Sequence, residues 1–115
     1  MASRTVANVL DAFLALRADL AHVLGVQTVD MLIDRSITEI RAAHPVVRAI
    51  RVDGELNLES LNLAFVNTTT EQAETAINAL VAVMLLVLAR LLGKRVAQSL
   101  AEQVHKGELF EAIQL

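Results

Sequence analysis

Two acid–histidine pairs carry the spacing that metal chemistry uses: Asp19-x-x-His22 and Glu102-x-x-His105. Residues three apart on a helix are neighbours on one face. Each pair therefore offers a carboxylate and an imidazole together. Bundles that hold two irons use two Glu-x-x-His pairs plus one Glu from each of two further helices. Here one pair has Asp, whose reach is shorter, and both pairs fall near expected helix ends. Glu39, Glu71 and Glu74, which would have to complete the set, lie on polar faces. A carboxylate/His metal-binding bundle built on Asp19, His22, Glu102 and His105 is thus an alternative, and the leading expectation is no metal and no cofactor.

His22 offers a second chemistry. His22-Val23-Leu24-Gly25 resembles part of the pattern of histidine phosphotransfer domains, four-helix bundles with an exposed His in sequences like HxLKG. The resemblance implies phosphorylation of His22. Gly25 stands where the pattern has Lys, and it also marks a helix end. The competing reading is a solvated His beside Asp19, favourably placed near a helix C-terminus. Other chemistry finds little support. Cys is absent, which removes thiolate nucleophiles and Cys-bound metals. No phosphate-binding Gly loop, HExxH or G-x-S-x-G occurs, and Ser3, Ser36, Ser60 and Ser99 have no base nearby in sequence. The expected protein is not an enzyme.

Composition points towards association. Of 115 residues, 55% are hydrophobic even without Gly, against about 45–50% with Gly in ordinary soluble domains. A subunit interface is the usual place for such a surplus. Net charge is −3 and aromatics are 3%, without Trp or Tyr. Nucleic acid, which selects basic patches and stacking platforms, is not expected as a partner. Asp11 interrupts the first apolar run, so no secretory signal is expected and a cytoplasmic location is the default. The charge-free run Thr75–Ala89 falls short of the roughly 20 residues that span a bilayer, so no membrane span is expected.

Periodicity gives the scaffold on which these residues sit. A helix is expected from about residue 4 to 24, with Val6, Val9, Leu10, Phe13, Leu16 or Arg17, Leu20 and Leu24 on one stripe, Ser3 as cap and Gly25 as terminator. A second, from about 26 to 43, buries Val29, Leu32, Ile33, Ile37 and Ile40. Asp30 and Asp34 suit its positive end, Arg35 and Glu39 make a surface pair, and Pro45 stops it. Residues 46–58 alternate around Asp53-Gly54, the strongest short hairpin signal, so a small β-hairpin is expected there. A short helix over 59–66 turns Leu58, Leu61 and Phe65 inward. Thr68 with Glu71, or Thr69 with Gln72, fits a capping box opening the last helix. Met31 and Met84 read as core filler.

Residues 76–92, AINALVAVMLLVLARLL, are apolar on every side of a helix, which marks a central core element. Leu80, Met84, Leu88, Leu92, Val96, Leu100 and Val104 keep one stripe straight through Gly93. One long helix over about 70–106 is therefore expected. At 1.5 Å per residue it would be about 55 Å long, too long for a compact monomer. The fold class expected is mainly α: a single helical domain over 1–115, a bundle with a long C-terminal core helix and one small hairpin. The function expected is a non-catalytic oligomerisation or protein-interaction domain, a homo-oligomer sealed by that stripe. By analogy it is a regulatory or signalling accessory module with a protein partner. The alternative of another class is a helical domain binding a small apolar ligand between its helices.

Overall fold

The computed structural model describes residues 5–93 and Arg95. Helix α1 (Val6–Leu24) is followed by α2 (Val26–Ile40), a 3-10 helix (Pro45–Ala49), α3 (Leu58–Ala64) and α4 (Thr70–Leu92). Helices α1, α2 and α4 pack on one another, while α3 packs on the 3-10 helix, which also touches α2. The stripes expected for α1 and α2 form the core: Val9, Leu10, Phe13, Leu16 and Leu20 meet Val29, Leu32, Ile33, Ile37 and Ile40, all buried.

Local chemistry sets the helix ends. Thr5 caps α1 in a reciprocal box with Asn8, and Thr69 caps α4 in the same way with Gln72. Ser3, expected as the first cap, lies outside the described residues. Asn57 opens α3 by accepting a hydrogen bond from the Ser60 N–H at 2.8 Å. Gly25 ends α1 and begins α2 by itself, at φ 88° and ψ 146°. That conformation is open essentially to Gly alone. It lets two long helices turn back on each other through one residue.

The hairpin expected over residues 46–58 is absent: no strand occurs among the described residues. Pro45 starts a 3-10 turn instead, which places Val47 and Ile50, three apart, in the core. Only an isolated antiparallel bridge, Val52 to Leu56, closes around Gly54. Two N–H groups of this segment have side-chain acceptors. The Arg51 N–H donates to Ser60 Oγ at 2.8 Å, and the Leu56 N–H to Asp30 Oδ2 at 2.9 Å. Side chains from neighbouring helices thus anchor this backbone in place of a second strand.

The long helix over 70–106 is also corrected. Helix α4 stops at Leu92, where Gly93 takes φ 93° and ψ 148° and its N–H caps Ala89. Lys94 and residues 96–106 lie outside the described residues. Leu58, expected inward, is half exposed, whereas Leu61 and Phe65 are buried as expected. Met84 fills the core, but Met31 is 71% exposed. Glu39 pairs with Arg90 of α4 at 3.8 Å, in place of the expected Arg35.

A Cβ at Gly25 would meet nothing within 4 Å, so substitution there tests backbone strain alone. Gly25→Ala should destabilise the fold by about 1–3 kcal/mol without a steric clash. A thermal melt unchanged from that of the parent chain would contradict this account of the α1–α2 corner.

Candidate functional site

The chain's one deeply buried carboxylate belongs, among the described residues, to Asp30 in the second turn of α2. Arg17 of α1 meets it as a fork: Nε donates to Oδ1 at 2.7 Å and Nη2 to Oδ2 at 2.8 Å. The Leu56 N–H is the third donor. The Asp30 side chain is 1% exposed and that of Arg17 16%. Burial pushes the Asp30 carboxyl up, but the Arg17 fork, the Leu56 N–H and the Arg17 charge outweigh it and hold the group below its usual range. The hydrogen bond to Asp30 raises the Arg17 guanidinium in turn, against the opposing effect of burial. Both carboxylate oxygens are thus engaged by groups of the fold itself. This is a brace joining α1, α2 and the 51–57 connector.

The residues with catalytic spacing are not assembled. Asp19 and His22 are both exposed, and Glu102 and His105 lie outside the described residues. Among the described residues no three His, Asp or Glu side chains converge as metal ligands. Ser36 Oγ donates to the Leu32 carbonyl at 2.7 Å. Ser60 Oγ donates to the Asn57 carbonyl at 2.7 Å while accepting from Arg51. Both hydroxyls are held by backbone. An open cleft of about 610 Å³ lies where His44 and Pro45 face Thr68, Thr69, Glu71 and Thr75 at the start of α4. Gln72 and Thr69 spend their polar groups on the cap, and Glu71 already occupies the first turn, where an anion would sit.

The expected interface stripe divides. Leu80, Met84 and Leu88 are buried in the chain's own core, at most 2% exposed. They cannot be a surface, because α1 and α2 already cover that side of α4. Leu92 is 43% exposed, and Val96, Leu100 and Val104 lie outside the described residues. The side of α4 opposite the core is different. Thr75, Ala82 and Ala89, seven apart, run along it. Leu86 beside them is 51% exposed; Leu91, 65% exposed at the helix end, is in phase with Met84 and lies on the other side. Ala82 is exposed, and Ala79 and Leu85 are half-buried. No charged residue interrupts the helix between Glu74 and Arg90. On its edge, Asn78 Oδ1 is buried without a hydrogen-bond partner. Sequence periodicity missed this face because α4 is apolar all round, so no polar side told inside from outside. The chain matches no protein-family model, no curated protein and no solved structure.

Asp30→Asn leaves Arg17 with half its partner and should cost about 3 kcal/mol, the lower end for breaking a buried pair. Because the folded carboxyl titrates below the unfolded one near 4, the brace adds stability at neutral pH. That contribution fades as pH falls through the unfolded value and is lost below the folded one. Thermal melts from pH 7 to 3 should show this acid loss in the parent and less of it in Asp30→Asn. Amide exchange at Leu56 should accelerate in the variant more than at Leu10 or Phe13 of α1.

Proposed function

We propose that this chain is a non-catalytic helical oligomerisation or protein-interaction domain. The observation that carries the reading is the outer face of α4, which no other helix among the described residues covers. In its most apolar eighteen-residue stretch only 39% is buried within the chain. Leu86 is exposed on that face beside exposed Ala82 and half-buried Ala79, Leu85 and Ala89, and an uncharged apolar strip of this kind is what an interaction site presents. The polar groups of the interior support the same reading, since Asp30, Ser36 and Ser60 are spent on holding the fold. Each Leu or Val taken from water to a sealed interface adds roughly 1.5–3 kcal/mol before the costs of association. Leu86 from each of two chains, with the exposed remainder of half-buried Leu85, is enough to matter. A regulatory or signalling accessory role in the cytoplasm is proposed by analogy with domains that associate without chemistry.

Sedimentation velocity of the full chain at micromolar concentration tests the reading. A species of two or more chains is expected, with little dissociation on tenfold dilution. A compact monomer with no affinity for itself would contradict the self-association on which the proposal leans. Native mass spectrometry on the same sample would give a chain mass with no added small molecule; stoichiometric apolar adducts would move the reading to the ligand-binding alternative.

A further inference from the structure

We infer that the outer face of α4 is the seam of an antiparallel homodimer, with a second copy of the same chain as its occupant. The inference rests on the association reading above and adds which face, which partner and which direction. The face begins beyond Glu71 and ends at Arg90, with Lys94 and Arg95 following. Its two ends are therefore oppositely charged, and Glu71 and Arg90 are both exposed. An antiparallel copy brings acidic end against basic end and opposes the helix dipoles. A parallel copy would set Glu71 against Glu71 and Arg90 against Arg90. The Glu39–Arg90 contact is loose, at 3.8 Å between exposed groups, and does not bar Arg90 from the partner's Glu71.

Register follows from side-chain size. The seven-residue spacing of Thr75, Ala82 and Ala89 puts a small side chain nearest the partner at every second turn, with Leu85 on one flank and Leu86 on the other. With Ala82 on the two-fold axis, Thr75 meets the partner's Ala89 and Ala79 meets the partner's Leu86 on the same flank. Small side chains let the backbones approach, and the leucines fill the flanks. An isologous contact of this kind closes at two chains. The inner face of α4 stays where it is, so dimerisation needs no unfolding of the bundle.

Because the chain has no Cys, engineered pairs can read the seam in the full-length protein. Ala82→Cys should form a disulfide with its own copy under mild oxidation. Thr75→Cys should not couple to itself, but should couple to Ala89→Cys when the two variants are mixed. Leu86→Glu should weaken the dimer about a hundredfold and leave the circular dichroism unchanged, since Leu86 is no part of the buried core. A two-chain species in which Ala82→Cys does not couple, or Thr75→Cys couples to itself, overturns the seam and leaves the association reading standing. A one-chain species overturns both. In that case a lowered melting temperature in Leu86→Glu gives the face to the chain's own C-terminal residues, and flotation of the parent with phosphatidylcholine vesicles gives it to lipid.

Discussion

Three segments distant in sequence are fixed by one carboxylate. Asp30 takes two donors from Arg17 of α1 and one from the Leu56 N–H of the connector. Apolar packing alone would let α1 slide on α2, because one Leu or Val serves nearly as well as the next. The Arg17 fork is directional and admits one register. A buried ion pair is weak evidence of net stability, since an apolar pair of the same volume often does as well. What it supplies here is position, and the connector inherits that position through Leu56.

The rest of the bundle is built on that fixed corner. Gly25 folds α2 back on α1, and the brace sets their register. The connector then lies against α2 with Val47, Ile50 and Leu56 buried. Ser60 of α3 holds the Arg51 N–H, which ties α3 to the same corner. Helix α4 covers what remains of the two stripes, using Ala73, Ala76, Ile77, Leu80, Val81, Met84, Val87 and Leu88. Those inner positions already seal the core. Ala79 and Leu85 still pack against the edge of that core, whereas Ala82 and Leu86, exposed on the other side of α4, are not explained by the folding of the described residues.

Periodicity made α1 and α2 legible because each has a polar side that phases the apolar one. Gly25, Pro45 and the Thr69–Gln72 box were legible because each rests on local backbone chemistry. The hairpin was misread because alternation in 46–58 records which residues are buried and says nothing of what takes their N–H groups. Ser60 and Asp30 are 9 and 26 residues from the donors they bind. The brace was half visible: Arg17 competed with Leu16 for a place on the α1 stripe, and Asp30 sat beside Val29 on that of α2. A basic and an acidic residue bordering facing stripes are a signal for such a pair. Gly93 was discounted because the apolar phase continues beyond it, yet φ at a single residue ends the helix whatever phase the later residues keep.

Helix α4 is long and apolar enough to cross a membrane by length and composition, and the packing bears on which apolar environment its outer face would meet. Inside lipid, tails solvate helices as well as neighbouring helices do, and the hydrophobic drive between α4 and its neighbours disappears. Drawing α4 into a bilayer would uncover the stripes of α1 and α2 that now lie on it. At about 1.5–3 kcal/mol for each large side chain returned to water, a handful of them costs more than a small domain's whole stability. Carrying α1 and α2 in with it would bring Asp11, Asp19, Asp34 and Arg35, all exposed, to the lipid boundary. A second α4 laid on the outer face requires neither. It buries the same leucines, keeps the inner contacts, and leaves every exposed charge of α1 and α2 in water.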